Sequence, residues 1–314
     1  MLGRALERKR SVSALKIRRI PFEFEAPVPF NWQPANPAFA MTANLISFVA
    51  VAFETYIVAV TKEALEQITD PDVRSEAEAF LRQEGAHAKA HRDHVNNLVT
   101  QYPGLKATLA NANASYQRLQ KTHSLAFNLA YIADIEATFT PLFTMIIEQR
   151  ETLFGGGDPR LSNLFLWHFV EEIEHRSSAH TIYSAVVASP WYRTRVVGQV
   201  FKHVDEISRE VFADFDAQVP LADRRVTLTP PRSGSLARVR SLLPKRASGS
   251  PSIDPFAGIP RSAKLKMMWG LVVSQTPWFD PARRPPTPWA VSWMTAYDEG
   301  FDMRRYFGSV ASAA

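Results

Sequence analysis

Histidine and glutamate are concentrated in two short stretches of the sequence. One is "LWHFVEEIEHRSSAH", which begins at Leu166, and the other is "EGAHAKAH", which begins at Glu84. Each contains a Glu-x-x-His motif, and residues three apart lie on one face of an α-helix. Carboxylate and imidazole groups on one face can bind a divalent metal ion, but a solvated polar face has the same composition. The direction of each side chain relative to the apolar residues distinguishes these interpretations.

Helical geometry sorts the polar residues of the first stretch. Successive residues of an α-helix are about 100° apart. In a predicted helix over residues 159–188, His168, Glu172 and His175 point in the same direction as the apolar residues and therefore toward the core. Glu174 points well away from this direction, and Glu171 lies at its edge. We therefore expect three inward groups and two outward ones.

Three further predicted helices carry glutamate within their apolar face. These helices span residues 41–69, 72–100 and 124–154. Their inward polar residues are Glu54 in the first helix, Glu84, His87 and His91 in the second, and Glu136 in the third. A buried carboxylate has to be paired, protonated or bound to a cation, and too few lysines or arginines lie on these faces to pair with all of them.

Two divalent metal ions would neutralise these carboxylates. A glutamate from each of two helices, with Glu-x-x-His from each of the other two, is the arrangement of di-iron and di-manganese carboxylate bundles. Thirty residues separate Glu54 from Glu84, and 36 separate Glu136 from Glu172, which suits two antiparallel helical hairpins. The 52 residues between Glu84 and Glu136 leave room for a long crossover, with a further helix predicted at 107–121.

At these residues the sequence resembles the ferritin-like di-iron superfamily. The His-x-x-x-Glu-x-x-His pattern of His168, Glu172 and His175 is similar to the p-aminobenzoate N-oxygenase type, which adds a third histidine to the usual six ligands. The chain more closely resembles a bacterial family of predicted metal-dependent hydrolases. The matching stretches are the helix of Glu54, "IRRIPFEFEAPVPFNWQPANP", "RQEGAHAKAH", "WHFVEEIEHRSSAH" and the tail "PWFDPARRPP".

The resemblance implies a set of metal ligands, namely Glu54, Glu84, His87, Glu136, His168, Glu172 and His175. His168 is either an additional ligand or a histidine that hydrogen-bonds to a ligand carboxylate, and the same two alternatives apply to His91. Glu171 is a candidate neighbour of the ligands. The family pattern also leads us to expect an acidic residue at Thr181, as a partner for His175.

The remaining sequence predicts the organisation of the chain. We predict an all-α protein with a ferritin-like four-helix bundle, extra C-terminal helices and an extended N-terminal arm. The arm covers residues 1–40 and the metal-binding bundle residues 41–218. A Pro/Ser/Arg-rich linker or lid covers 219–252, and a helical and irregular segment covers 253–314. Within these segments, further helices are predicted at 191–217 and 257–275, and irregular structure at 276–294.

Composition excludes several classes of site and partner. The 314 residues include no cysteine, which excludes disulfides, zinc-thiolate sites, iron–sulfur clusters and a cysteine nucleophile. The net charge is +5, with basic clusters in residues 4–19 and 224–246 that we interpret as solvated segments. We expect no specific nucleic-acid binding, no signal peptide, no transmembrane segment and a cytoplasmic location. The apolar run 44–60 carries Glu54 at its centre and is interpreted as a core helix.

The leading functional hypothesis is a non-haem di-iron oxygenase that uses O2 to hydroxylate or N-oxygenate a small apolar or aromatic substrate. A carboxylate-rich site favours two iron ions, with manganese as an alternative and zinc less suited. Such an enzyme needs an electron-donor protein, and a homodimer is a further hypothesis. The alternatives are a dinuclear metal-dependent hydrolase and a non-catalytic metal-binding bundle. Candidate pocket residues are Phe53, Tyr56, Phe139, Phe143 and Phe165.

Overall fold

A computed structural model describes residues 15–228 and 254–309, and in these ranges all regular structure is helical. The prediction of an all-α fold is confirmed. The helices are α1 Pro37–Leu65, α2 Pro71–Gln101, α3 Leu105–Thr122, α4 Leu125–Glu148, α5 Arg150–Phe154, α6 Pro159–Glu174, α7 Ser178–Val186, α8 Pro190–Gln218, α9 Leu221–Arg224, α10 Arg261–Ser274 and α11 Pro288–Asp298. Two short 3-10 helices cover Pro281–Arg283 and Met303–Arg305.

Four long helical segments form a bundle. α1 packs along α2, and α4 packs along α6 and α7. α7 also contacts α2, and α4 also contacts α1, so the two hairpins face each other. Only residues 66–70 connect α1 to α2, and such a short connection makes the two helices antiparallel. α3 connects the two hairpins along the chain and packs mainly against α1 and α8. α8 and α10 pack on the outside of the bundle.

Side-chain caps and prolines set where the bundle helices begin. Asn36 accepts a hydrogen bond from the Phe39 amide, and Pro37 occupies the first helical position. α1 therefore starts four residues earlier than the predicted boundary of the extended arm. Asp70 and Asp158 cap α2 and α6 in the same manner, each also followed by proline.

Among the described residues, two helices are long and apolar enough to cross a membrane by length and composition alone, namely Pro37–Leu65 and Leu125–Glu148. Their most apolar windows are 67% and 72% buried inside the bundle. A helix at the centre of a bundle is apolar on most sides because it contacts neighbouring helices all around.

The predicted continuous helix 159–188 is wrong, because the chain breaks between α6 and α7. The break follows Glu174, and α7 starts at Ser178. Arg176 donates hydrogen bonds to the carbonyls of Ile173 and Glu174, at 2.7 and 3.3 Å. These carbonyls would otherwise accept hydrogen bonds from the next helical turn, so Arg176 stabilises the helix end. His175 consequently lies at the end of α6 rather than inside a helix.

Other predicted boundaries also need correction. The helix predicted over 124–154 is divided into α4 and α5, and part of the tail predicted to be irregular forms α11. The Thr287 hydroxyl caps α11 by accepting from the Ala290 amide, and Pro288 follows it, which is a usual helix start. Of the predicted linker 219–252, residues 219–228 are described and include α9 and the buried side chains of Val219 and Val226. Residues 229–252 lie outside the described ranges.

The N-terminal arm is extended and packs on the bundle. Residues 15–36 contain no regular helix, and Val28, Phe30 and Trp32 are buried. The interpretation of both basic clusters as solvated segments is wrong for Arg18 and Arg224, since both side chains are buried. Arg18 reaches the candidate functional site.

Candidate metal centre

The seven predicted ligands lie together in the centre of the bundle, and all of them are buried. α1 contributes Glu54, α2 contributes Glu84 and His87, and α4 contributes Glu136. α6 contributes His168 and Glu172, with His175 at its end. The seven side chains that helical periodicity directs inward therefore lie together in the structure.

Glu172 occupies the middle of this cluster. Its Oε1 lies 2.8 Å from His168 Nε2, and its Oε2 lies 3.0 Å from His175 Nε2. The two oxygens of one carboxylate thus face two different histidines. This is the position from which a carboxylate can bridge two metal ions.

Two neighbouring subsites can be distinguished around Glu172. Four sets of three side chains have ligand atoms within 4.8 Å of one another, namely Glu84–Glu172–His175, Glu54–Glu84–His87, His87–His168–Glu172 and Glu54–His91–His168. The first set defines subsite 1, and the other three define subsite 2. Glu84 and Glu172 belong to both subsites. Glu136 is more peripheral, with its Oε2 at 3.7 Å from His175 Nε2.

Several buried ligand atoms of the cluster have no hydrogen-bond partner. They are Oε2 of Glu54, both oxygens of Glu84, Oε1 of Glu136 and Nδ1 of His87. A buried polar atom without a partner costs free energy, roughly 1–3 kcal/mol for a neutral group. Because these unpartnered atoms belong to carboxylates and an imidazole on three helices, a cation is the partner that fits them.

The outer nitrogen of His87 is held by a carboxylate. His87 Nε2 donates to Glu171 Oε2 at 2.9 Å, and Arg18 donates to Glu171 Oε1 at 3.1 Å. His87 Nδ1 then faces the cluster, 3.5 Å from Glu172. The expectation that Glu171 points outward is wrong, because the distant Arg18 neutralises it in the interior.

Glu174 is only half-buried and shares the same arginine, with Arg18 Nη1 at 2.6 Å and Nη2 at 2.9 Å from its carboxylate oxygens. Two hydrogen bonds to one carboxylate fix the guanidinium in position. Arg18 thus connects the N-terminal arm to α6.

Gln83 is the partner of His175. His175 Nδ1 donates to Gln83 Oε1 at 3.0 Å, which directs Nε2 toward the cluster. Gln83 Nε2 in turn donates to the Lys16 carbonyl and to Glu174, each at 3.0 Å. The acidic partner expected at Thr181 is therefore replaced by an amide from α2.

His168 begins a buried chain of hydrogen bonds. His168 Nδ1 lies 2.8 Å from His91 Nε2, and the Ser47 hydroxyl lies 2.9 Å from Nδ1 of both His91 and His94. If His168 Nε2 binds a metal ion, its Nδ1 carries the proton and donates to His91. His91 then donates to Ser47, and Ser47 donates to His94. Each of the three inner histidines thus has a partner on its outer nitrogen, as metal-binding histidines in proteins do.

Burial changes the pKa values of the carboxylates. It raises the pKa of Glu54 and Glu136 well above the usual range, and that of Glu84 to about 7. Burial acts on Glu172 in the same direction, but the charge of His175 and hydrogen bonds from the surrounding histidines outweigh it. The pKa of Glu172 is therefore held well below its usual range. Without a cation, Glu54 and Glu136 favour the protonated form, and Glu84 changes its protonation near neutral pH.

The histidines divide into two groups. Burial lowers the pKa of His168 to about 4, so this imidazole is neutral. Burial also acts to lower the pKa of His87 and His175. Hydrogen bonds to Glu171 and Glu172 outweigh it at His87, and the charge of Glu172 outweighs it at His175, so both pKa values are raised.

Aromatic side chains surround the cluster on several sides. Phe143 lies 6.2 Å from the His168 ring and stacks on Phe169 at 4.0 Å between ring centroids. Phe165 packs 5.4 Å from the His91 ring. Of the predicted pocket residues, Tyr56 packs elsewhere, with its hydroxyl 3.0 Å from Asn128 Oδ1 and its ring against Tyr116 and Tyr131. The remaining predicted residues, Phe53 and Phe139, pack against each other at 6.4 Å.

The donor set fits two divalent cations. With all protons displaced by metal ions, the four carboxylates and three neutral imidazoles would carry four negative charges, which two divalent ions balance. The buried His and Glu groups can hold metal ions, and no metal identity follows from them alone.

The family of predicted metal-dependent hydrolases matches residues 16–219. The chain belongs to this family. No curated protein and no solved structure matches the chain. The tail stretch "PWFDPARRPP" lies outside the matched residues. In this member of the predicted metal-dependent hydrolase family, the match contains all seven clustered residues and also starts early enough to include Lys16 and Arg18.

Sequence reasoning missed the partners that hold these histidines. Arg18, Gln83, Ser47 and His94 are all buried beside the cluster. Helical periodicity could have indicated His94, because it lies seven residues after His87 on the same helix. No local pattern indicates Arg18, because its partner Glu171 is 153 residues away in sequence.

Substitution of Arg18 tests whether the arm supports the metal centre of this family member. We expect Arg18→Gln to weaken metal binding by roughly 10-fold, because Glu171 loses its counter-charge and no longer fixes His87. The measurement is the metal dissociation constant by titration of metal-free protein. Arg19→Gln is the matched control, since the Arg19 side chain is exposed. Equal affinities of the two variants would contradict a supporting role for Arg18.

Proposed function

We propose that this protein is a non-haem di-iron oxygenase that hydroxylates or N-oxygenates a small apolar or aromatic substrate. The observation that carries the proposal is the buried cluster of four glutamates and three histidines, in which Glu172 contacts two histidines and the other three glutamates each have an oxygen without a hydrogen-bond partner. This cluster supports the further proposal that the bundle is ferritin-like. It favours oxygen ligands over nitrogen and contains no sulfur, which suits iron or manganese better than zinc.

The residues of the chain would hold two iron ions in distinct ways. Glu172 and Glu84 reach both subsites, and Glu54 belongs to subsite 2 only. Iron ions bound there would supply the redox chemistry that reduces O2. The overall conversion consumes one O2, two electrons and two protons for each oxygen atom inserted, and it releases one water. An electron-donor protein is therefore part of the proposal.

The surroundings of the cluster favour an apolar substrate and the exclusion of water. Phe143 and Phe169 stack beside His168, and all seven clustered side chains are buried. A dry, aromatic environment favours partition of an uncharged substrate and protects a reactive oxidant from water. Arg18 lies beside the cluster, but its guanidinium is already paired with two carboxylates, those of Glu171 and Glu174.

A dinuclear hydrolase is the second candidate, and the family description favours it. In that case the same carboxylates and imidazoles would orient a water molecule for attack on an ester or phosphoester, with no electron donor. Two divalent ions could themselves bind the charged oxygens of a phosphoester. The aromatic surroundings of His168 favour a neutral ester among hydrolase substrates. The third candidate is a bundle that binds metal without catalysis.

The deciding experiment uses metal-free protein reconstituted without oxygen with either Fe(II) or Zn(II). We expect two Fe(II) ions per chain, and rapid O2 consumption with a visible absorbance change when oxygen is admitted. The Zn(II) protein is the matched control and should consume no O2. Ester hydrolysis that is equally fast with Zn(II) and without oxygen, together with slow O2 consumption by the Fe(II) protein, would favour the hydrolase. Two bound metal ions without either activity would favour the non-catalytic bundle.

Metal affinity should depend on pH because ions displace protons from the cluster. In the metal-free protein the pKa of Glu84 is about 7, and those of His87 and His175 are raised. These groups hold protons at pH 6 that a bound ion must displace. Affinity should therefore rise between pH 6 and pH 8, by up to about tenfold per pH unit for each displaced proton. Calorimetric titration in buffers of different ionisation enthalpy measures the protons released, and zero release at pH 6 would contradict this reading of the cluster.

A further inference from the structure

An apolar stripe on α10 faces solvent. Leu265, Met268, Trp269 and Val272 have relative exposures of 66%, 39%, 70% and 62%. Their spacing of i, i+3, i+4 and i+7 places all four on one face of the helix. In soluble helices this spacing usually marks the face turned toward the core, whereas here it faces outward.

The orientation of α10 is fixed by its opposite face. Gly270 lies against α4 so closely that a Cβ atom there would be 2.6 Å from the Cβ of Pro141. Met267 and Ser274 are buried, and Gln275 donates to the Asp134 carbonyl at 3.1 Å. The inner face of α10 is therefore packed on the bundle, and rotation of the helix cannot bury the outer stripe.

Two more exposed tryptophans accompany the stripe. Trp278, which follows α10, is 74% exposed, and Trp191 at the start of α8 is 55% exposed. Their ring centroids are 6.4 Å apart. Tryptophan is enriched where proteins meet the interface between lipid headgroups and acyl chains, because its ring is largely apolar and its N–H is polar.

Basic side chains share α10 with the stripe. The helix contains Arg261, Lys264 and Lys266 and no acidic residue. Arg261 and Lys266 are exposed. The apolar stripe is therefore accompanied by positive charge, which is complementary to anionic lipid.

We propose that the outer face of α10, with Trp191 and Trp278, docks on the surface of an anionic phospholipid membrane. The apolar stripe would enter the boundary between headgroups and acyl chains, and the basic side chains would contact phosphates. A protein partner of ordinary composition would not require both the exposed tryptophans and a helix that carries basic but no acidic residues. The proposal concerns the outer face of α10, which contributes no predicted ligand, and does not depend on the metal chemistry.

Vesicle sedimentation of the full-length protein tests this proposal. We expect binding to vesicles of phosphatidylcholine with about one third phosphatidylglycerol, little binding to pure phosphatidylcholine, and weaker binding at high salt. The double variant Leu265→Ser/Trp269→Ser should bind at least about 10-fold more weakly. Phe201→Ser on α8 is the matched control, because Phe201 is an exposed aromatic residue outside this face.

The charge and apolar contributions can be separated. Arg261→Gln/Lys266→Gln should lower binding to the anionic vesicles, while leaving the weak binding to neutral vesicles unchanged. Absence of binding at low salt, or equal binding by the Leu265→Ser/Trp269→Ser variant, would overturn the proposal. Sedimentation velocity distinguishes another occupant, since a dimer that only this double variant dissociates would assign the face to a second copy of the chain.

Discussion

Glu172→Ala is expected to remove both metal ions from the protein. Its two oxygens lie 2.8 Å from His168 Nε2 and 3.0 Å from His175 Nε2, so one side chain serves both subsites. The loss of affinity at each subsite should exceed the roughly 10- to 100-fold that results from losing a partner of a ligand. Metal content after gel filtration should therefore fall from two ions per chain to nearly none. Any metal-dependent activity should be lost with it.

Two further variants distinguish a bridging role of Glu172 from the loss of a single ligand. Glu54→Ala should leave one ion per chain, because Glu54 belongs to subsite 2 only. Glu63→Ala is the control, since Glu63 is an exposed glutamate on the same helix as Glu54. Circular dichroism should show unchanged helix content in all three variants, because alanine favours helix. If Glu172→Ala and Glu54→Ala retained the same amount of metal, Glu172 would not bridge the subsites.

Removal of metal is expected to lower the melting temperature by about 10 °C. An ion that binds only the folded state stabilises it by about 2.7 kcal/mol when its concentration is 100 times its dissociation constant, so two ions contribute about 5 kcal/mol. In a chain of this size each kcal/mol corresponds to about 2 °C. The physical origin lies in Glu54, Glu84 and Glu136, each of which has at least one buried oxygen without another partner.

Calorimetry of protein with and without a chelator measures this difference. The control is Glu172→Ala, in which the chelator should change the melting temperature by less than about 2 °C. An equal chelator effect in both proteins would assign the stabilisation to a metal site elsewhere. A melting temperature that does not respond in the wild-type protein would mean that the carboxylates are neutralised by protons instead.

The inward residues were accessible to sequence reasoning because they lie on long helices. Helical periodicity depends only on local geometry, so Glu54, Glu84, Glu136 and Glu172 could be distinguished from exposed glutamates such as Glu63. The structure brings these four carboxylates to one place. The ferritin-like relationship, the domain boundaries, the oligomeric state and the cytoplasmic location stay predictions.

Long-range contacts explain most of what periodicity could not predict. Glu171 is at the edge of the apolar face, and its burial depends on Arg18 from the distant arm. The end of α6 was hidden because apolar residues continue in helical register into α7, with Ala179 and Ile182 buried. The hydrogen bonds from Arg176 to the last carbonyls of α6 stabilise this break.

Local signals were present but overlooked at the start of α11. Thr287 followed by Pro288 is a recognisable helix beginning, although the surrounding prolines and tryptophans suggested irregular structure. In this segment the capping threonine and the proline after it indicate the helix start, whereas overall composition does not.

The contact between Arg18 and Glu171 has a consequence for the order of assembly. Arg18 is synthesised 153 residues before its partner Glu171 on α6. The arm can therefore pack in its final position only after α6 has been made, and this contact is non-local. Until it forms, Glu171 lacks its counter-charge, so the arrangement that holds His87 is completed by one of the most distant contacts in sequence.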